Sequence, residues 1–171
     1  MTPAHAAARE FNAPWSRTLR MLSITGTALM IGVPVIVATE QGTPLWAGAL
    51  VSVAMLITLL GSLLFTVRGY EIDSDALLVR RLLWSTGIPL AGLRSITLEP
   101  KLTKATVRIW GNGGLFSFSG LYWNRQLGRF RMCATDLSKA VVLRFQDRAW
   151  VVTPDRPEEF IQQLTRKAGL A

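Results

Sequence analysis

The amino-acid sequence predicts a membrane α-hairpin of two transmembrane helices, followed by a mainly-β domain that a C-terminal helix caps. Two uncharged stretches, residues 21–39 and 45–67, are each long enough to cross the roughly 30 Å hydrocarbon core of a bilayer at about 1.5 Å per residue. Short segments of alternating apolar and polar residues follow Arg68, and helical periodicity replaces them after Thr153.

The charges that flank the hairpin predict its orientation. The turn between the two stretches, EQGTP at residues 40–44, contains no basic residue, whereas arginines stand at both open ends of the hairpin. These arginines are Arg9, Arg17, Arg20, Arg68, Arg80 and Arg81. The positive-inside rule therefore predicts that both termini are cytoplasmic and that the turn lies outside.

Two alternatives to a spanning hairpin can be weighed from the sequence. A cleaved signal peptide over residues 1–38 would have an unusually long apolar region, and residues 45–67 would still hold the rest of the chain inside. A buried hairpin of a soluble protein would need a polar face, which residues 45–67 lack. We therefore expect a multi-pass protein with five parts. They are a cytoplasmic segment (1–20), transmembrane helices at 21–39 and 45–67, an external turn (40–44) and a cytoplasmic domain (68–171).

The cytoplasmic domain is predicted to contain six or seven short strands. Turn chemistry at Ser74-Asp75 and at residues 85–87 separates the first strands, and residues 146–148 separate the last two. The predicted strands are residues 70–73, 76–84, 93–99, 106–110, 139–145 and 149–153. Such a set predicts a barrel or bent sandwich, with the helix plugging one open end.

A helix start follows the last predicted strand. Asp155 is placed to cap the helix, Pro157 suits its first turn, and Glu158 completes the spacing of a capping box. Phe160, Ile161 and Leu164 then form an apolar stripe on one face.

Composition limits the chemistry that the chain can perform. Cys133 is the only cysteine and His5 the only histidine, so an intramolecular disulfide is excluded and a zinc site lacks ligands. We interpret Cys133 as a small buried side chain in a strand. No activated nucleophile or carboxylate pair has a recognisable spacing, so we expect no catalytic residues, no metal and no cofactor.

The most unusual segment is residues 110–136, which is rich in glycine and aromatic residues and has no acidic residue before Asp136. One hypothesis is an anion-binding loop for a lipid phosphate, formed by backbone amides and arginines. The alternative is a structural hairpin in which residues 112–114 form a left-handed turn. The candidate loop residues are Gly111, Asn112, Gly113, Gly114 and Trp123. The order of residues fits neither a P-loop nor a dinucleotide fingerprint, and no module that reads nucleic acid is visible.

Three stretches of the chain resemble a known family. They are residues 68–73 (RGYEID) with 78–81 and 88–90, residues 111–116 (GNGGLF) with 124–130 and 134–136, and residues 153–160 (TPDRPEEF). The chain is similar to bacterial pleckstrin-homology-like (PH-like) domain proteins that carry two transmembrane helices before the domain. The resemblance implies a strongly bent seven-stranded antiparallel sheet capped by the C-terminal helix. It also implies a protein of the bacterial inner membrane. Because the first hairpin turn, residues 73–75, is acidic, phosphoinositide binding is not transferred to it.

The function we expect is a non-enzymatic, membrane-anchored interaction or scaffold domain. The first hypothesis is contact with anionic lipid headgroups of the inner leaflet, through Arg80, Arg81, Arg125, Arg129 and Arg131. The second is recruitment of a protein partner or homo-oligomerisation, although the two spans contain no GxxxG pair. An enzyme is the remote alternative, and we expect no binding of nucleic acid.

Overall fold

A computed structural model describes residues 9–100, 102 and 106–170 of the chain, and His5 lies outside them. Two helices form the predicted hairpin: α1 (Arg17–Thr39) and α2 (Leu45–Leu64). The Ser16 side chain caps α1 by accepting a hydrogen bond from the Leu19 amide at 3.1 Å, so α1 begins before the uncharged stretch does. Both helices are long and apolar enough to cross a membrane, and only 6% of the residues in the most apolar part of each helix are buried.

Ten strands are described, and they form two open sheets. The first sheet has the order β1-β2-β3-β4, and all its pairs are antiparallel. The second has the order β5-β9-β10-β8-β7-β6, in which β8 and β10 run parallel. The strands are β1 (Arg9–Asn12), β2 (Gly69–Ile72), β3 (Ala76–Arg80), β4 (Ser85–Pro89), β5 (Leu93–Leu98), β6 (Val107–Gly113), β7 (Phe118–Asn124), β8 (Gly128–Ala134), β9 (Val141–Phe145) and β10 (Ala149–Val152). A short 3-10 helix lies at Leu137–Lys139, and α3 (Pro157–Ala168) ends the described chain.

This architecture corrects the expectation of one bent seven-stranded sheet or barrel. The sheets do not close, and the strand count is higher for three reasons. The segment 110–136 contains two further strands, β7 and β8, which form antiparallel pairs with each other and with β6. Residues 9–12 add β1, which pairs with β2, and residues 85–89 form β4. The turn expected at residues 85–87 was also misplaced. The chain turns at residues 81–84, where the Arg81 amide donates to the Trp84 carbonyl at 2.8 Å, and residues 85–87 begin β4.

The C-terminal helix forms as predicted, with a different cap. Arg156 is the N-cap residue and its side chain makes no capping bond, while the Asp155 carboxylate accepts a hydrogen bond from the Arg156 amide. Pro157 occupies the first turn, where proline has no amide bond to lose. Phe160 and Leu164 are fully buried, and the Phe160 ring meets the Phe11 ring edge-on at 5.2 Å.

Each face of the second sheet is covered over part of its area. On one face, β1 to β4 and α3 bury the first core, which contains Phe11, Tyr70 and Phe160. On the other face, Leu19 of α1 is fully buried in a second core with Phe118 and other apolar residues of the sheet. The first helical turn of α1 is therefore part of the domain core.

A buried polar network ties the first core together. The Tyr70 hydroxyl donates to the Cys133 carbonyl at 2.6 Å and accepts from the Thr153 amide at 3.0 Å. Cys133 is 3% exposed within β8, which confirms its expected position as a buried strand residue. Burial raises the pKa of the Cys133 thiol, although the Arg81 guanidinium opposes the shift, so this thiol stays protonated and unreactive at neutral pH.

Two glycines allow β6 and β7 to approach closely. Gly111 (φ 107°) faces Gly120 (φ 143°) across the pair, and both have backbone angles that favour glycine. A Cβ atom at Gly120 would overlap the Trp110 carbonyl oxygen and the Gly111 Cα.

We predict that Gly120→Ala lowers the stability of the folded chain by about 3 kcal/mol, because the substitution combines backbone strain with overlap. The thermal midpoint of the detergent-solubilised full chain should fall by roughly 10 °C. Gly87→Ala is the matched control, since a Cβ there meets only Leu78 Cδ2 at an ordinary 3.7 Å. Equal midpoints for the two variants would contradict this account of the β6–β7 pair.

Both tyrosines of the chain are predicted to resist ionisation in the folded state. Burial raises the pKa of Tyr122 to about 12 and raises the pKa of Tyr70 further, whereas unfolded tyrosine loses its proton near pH 10. The stability that depends on these hydroxyls is therefore complete below about pH 10 and is lost as the pH rises toward 12 and beyond. Ultraviolet titration of tyrosinate should show neither group ionised near pH 10 while circular dichroism still reports a folded chain. A tyrosinate signal there would contradict the prediction, and Tyr122→Phe would assign it.

Candidate interaction surface

A set of hydrogen bonds fastens the domain to the end of α2. The Phe65 carbonyl accepts from Arg81 Nη1 at 2.6 Å and from the Ser117 hydroxyl at 3.1 Å, and the Ser119 hydroxyl lies at 3.5 Å. We call Phe65, Arg81, Ser117 and Ser119 the junction. The last turn of α2 contains no basic residue, so Arg81 supplies the positive charge that a helix C-terminus favours.

The remaining nitrogens of Arg81 also have partners inside the domain. Nε donates to the Thr86 hydroxyl at 3.2 Å, and Nη2 lies 3.4 Å from Cys133 Sγ. Arg81 therefore connects α2 to both sheets.

The loop between β6 and β7 fastens the domain to α1. The Ser23 hydroxyl accepts from the Phe116 amide at 2.9 Å and donates to the Gly114 carbonyl at 3.4 Å. Within the loop, Asn112 Oδ1 accepts from the Gly114 and Leu115 amides at 3.3 and 2.9 Å. The amides of residues 114–116 thus already have partners.

The candidate residues of the loop are therefore placed as follows. Gly111 faces Gly120, Gly113 lies under the Arg108 guanidinium, and a Cβ on Gly114 would meet Leu22 of α1. The Asn112 carbonyl accepts from the Tyr122 hydroxyl at 2.7 Å. This arrangement can position the loop on α1, and it presents no free row of amides to an anion.

The candidate arginines divide into two groups. Arg80 is paired with Glu10 of β1 at 2.6 Å, and Arg81 belongs to the junction. The other three, Arg125, Arg129 and Arg131, are exposed on the β7–β8 hairpin. Asn124 fixes the turn at residues 125–127, because its Oδ1 accepts from the Leu127 amide at 2.7 Å.

One face of β6 to β8 carries two rows of cross-strand neighbours. In the first row Trp110 is opposite Leu121, which is opposite Arg131; in the second, Val107 is opposite Trp123, which is opposite Arg129. Trp110 is 78% exposed and Trp123 40%. We call these residues the basic–aromatic face: Val107, Trp110, Leu121, Trp123, Arg129 and Arg131.

This face continues a surface that is covered elsewhere in the sheet. Arg131 is the neighbour of Trp150 on β10, and its guanidinium lies 5.3 Å from the centre of that ring. Trp150 itself is buried in the first core, beneath the other sheet and α3. The cover includes Ser119 at the start of β7, which Arg81 contacts, and it stops before Trp123 and Trp110. The basic–aromatic face is therefore the open part of the same side of the sheet.

Within the described residues, no group of three or more His, Cys, Asp or Glu side chains is arranged to hold a metal ion. A groove of about 790 Å³ runs along α1 between Trp15, Ile24 and Phe116, and its lining contains no carboxylate, histidine or cysteine. The hydroxyls that line it belong to Ser23 and Thr27, and the Ser23 hydroxyl is bonded to the Phe116 amide and the Gly114 carbonyl.

The chain was also compared with known families. Residues 68–168 match the family described as "Bacterial PH domain". The chain belongs to the bacterial PH domain family. The PH-like resemblance of the sequence is thus confirmed, with two N-terminal helices long and apolar enough to span a membrane. Comparison with curated proteins and with solved structures gives no match. PH domains are generally non-enzymatic modules that mediate lipid or protein interactions.

Sequence reasoning did not find the partners that fasten this PH domain to its hairpin. Ser23 lies in an apolar helix, where a hydroxyl usually bonds to its own helix, and Glu10 lies in a short polar segment. Their partners are Phe116 and Arg80, which are distant in sequence, so no local pattern could identify the pairs.

We predict that Arg81→Lys loosens the junction although it keeps the charge, because a single ammonium cannot replace the fork that reaches Phe65, Thr86 and Cys133. Losing a charge-assisted hydrogen bond costs about 1.5–3 kcal/mol, which corresponds to faster local opening by roughly tenfold or more. Hydrogen exchange of residues 65–68 and 117–119 in the full chain should accelerate accordingly. Arg94→Lys, at an exposed site, is the control, and equal exchange in both variants would refute the role of Arg81.

Proposed function

We propose that this chain is a two-span protein of the bacterial inner membrane that holds a non-enzymatic PH domain at the cytoplasmic face, where the basic–aromatic face binds an acidic partner protein. The proposal includes a cytoplasmic N-terminal segment and an external turn at residues 40–44. The observation that carries it is the open face of arginine and tryptophan on a sheet side that is otherwise covered.

Two properties of the hairpin support its insertion in a bilayer. Its helices expose large apolar side chains around their circumference, for example Ile36 at 65% and Ile57 at 64%, which water would not favour. Its open end carries Arg17, Arg20 and Arg68, whereas its turn carries none, which supports a cytoplasmic domain.

The composition of the face supports a protein ligand with acidic groups. Tryptophan and arginine are the residues most enriched among those that dominate binding energy at protein interfaces. Residues 100–135 contain no Asp or Glu, so no acidic residue of this stretch can neutralise Arg125, Arg129 and Arg131. A partner with carboxylates around an apolar centre would complement both the charge and the rings.

The direction of β7 favours a protein over the membrane as the ligand. Phe116, just before β7, contacts Ser23 of α1, and Phe118, at the start of β7, packs in the core with Leu19, one turn nearer the start of α1. β7 therefore runs toward the N-terminal end of α1. Trp123 lies four residues beyond Ser119 of the junction, roughly 13 Å at about 3.3 Å per residue. Each headgroup region adds only about 5–8 Å to the hydrocarbon core, so Arg131 is within reach of lipid phosphates and Arg125 and Arg129 are directed beyond them.

We predict that a photo-crosslinking amino acid at Trp123 of the full chain, expressed in its membrane, yields a defined protein adduct. The double variant Arg125→Glu, Arg129→Glu should reduce that adduct at least tenfold, because it reverses the charge that attracts the partner. Arg148→Glu is the matched control, since Arg148 is also exposed but lies at the β9–β10 turn, outside the face.

Mass spectrometry of the adduct separates the alternatives. A phospholipid adduct would replace the protein partner with the inner leaflet, and an adduct with a second copy of this chain would indicate self-assembly. Either result would overturn the proposed acidic partner, as would an adduct that is insensitive to the charge reversal.

A further inference from the structure

We propose that the β3–β4 turn, residues 82–84, inserts into the interfacial region of the leaflet in which α2 ends, so that the bilayer is a direct partner of the PH domain. We call these residues the membrane tip. The inference rests on the spanning hairpin of the proposed function, and it is independent of the acidic partner.

The membrane tip is held at the end of α2 from two sides. The Trp84 ring meets the Phe65 ring edge-on, with centroids 5.2 Å apart. The neighbouring Arg81 donates to the Phe65 carbonyl at 2.6 Å, and its guanidinium lies 5.4 Å from the centre of the Phe65 ring. The tip therefore has the same depth in the bilayer as Phe65.

Phe65 belongs to the uncharged stretch that ends at Val67, just before Arg68. If that stretch crosses the membrane, its last residues lie where hydrocarbon meets headgroups, and Trp84 lies with them. Tryptophan is enriched at this level because its ring is apolar and its N–H is polar.

The surface of the tip is suited to this environment and poorly suited to water. Leu83 is 74% exposed, Leu82 45% and Trp84 39%, and Phe65 beside them is 49% exposed. Single exposed apolar residues are ordinary, whereas a contiguous group marks an interaction site. The residues from Leu82 to Leu93 carry no charge, so no group in the turn opposes insertion.

The β6–β7 loop gives independent support, because it places a second uncharged loop at a comparable position on α1. Leu115 packs near Gly26 and Gly114 lies beside Leu22, and both helix residues belong to the first uncharged stretch. The nearest charged residues on either side of this loop are Arg108 and Arg125. The end of the domain that faces the hairpin therefore presents two uncharged loops. A bilayer that surrounds the apolar helices would contact both loops as well, which is why we assign the bilayer as their partner.

The test uses the full chain reconstituted in vesicles of phosphatidylcholine and phosphatidylglycerol. Leu83→Cys is labelled with an environment-sensitive fluorophore, and Cys133 stays unlabelled because it is 3% exposed. Asp147→Cys, in the exposed β9–β10 turn, is the matched water-facing control, and Ile57→Cys on α2 is the lipid-facing control.

We expect the label at position 83 to be quenched by lipids with a nitroxide near the headgroup, and to be several-fold less sensitive to aqueous iodide than the label at 147. Iodide quenching equal to that at 147, without lipid quenching, would overturn the proposal. Protection from both quenchers would indicate burial against a second copy and would also overturn it. If the label at 57 is quenched by lipid and the label at 83 is not, the tip fails while the spanning hairpin stands.

Discussion

The relation between hairpin and domain depends on one hydrogen-bonded group, the carbonyl of Phe65 at the end of α2. The last carbonyls of a helix have no partners within the helix, and α2 has no basic residue in its last turn. Arg81 and Ser117 provide the missing donors, and they lie in turns that belong to different sheets, after β3 and before β7. Without these hydrogen bonds, only the short peptide between α2 and β2 would connect the second helix to the domain. The bonds to Phe65 therefore fix the orientation of the domain relative to α2.

The hairpin is fastened at its other end as well, since it is inserted between two paired strands. β1 precedes α1 and pairs with β2, which follows α2, while Leu19 is buried beneath the second sheet. The Ser16 amide also donates to the Thr135 carbonyl at 3.4 Å. The family match begins at residue 68, yet a fragment that starts there would lack β1 and leave the core around Leu19 open. The unit that folds therefore includes residues before the hairpin, and both helices leave the domain in fixed positions.

Periodicity predicted the elements that local sequence determines. The two apolar helices, α3 and the strands β5, β9 and β10 all lie close to their predicted positions. The errors concern residues whose state depends on distant partners. Residues 9–12 are too short and polar to indicate a strand, and they become β1 only because β2 is beside them. The run at 76–84 is apolar enough for one long strand, but the strand ends at Arg80. The chain then turns, because Arg81 bonds to the Phe65 carbonyl and the Trp84 ring packs on the Phe65 ring.

The candidate arginines show why sequence alone does not define a binding surface. Arg80 and Arg81 are adjacent and basic, as a lipid-binding pair would be, but both have partners within the chain, Glu10 for Arg80 and the junction for Arg81. Arg129 and Arg131 were candidates on the same ground of charge, and only the cross-strand pairing with Trp123 and Leu121 shows that they share one face. Arg81, Ser23 and Ser117 fix the uncharged loops against the hairpin, and this docking directs the β7–β8 hairpin and its arginines away from it. If the hairpin spans the membrane, apolar contact and charged contact are consequently separated along the domain, the first facing lipid and the second facing away from it.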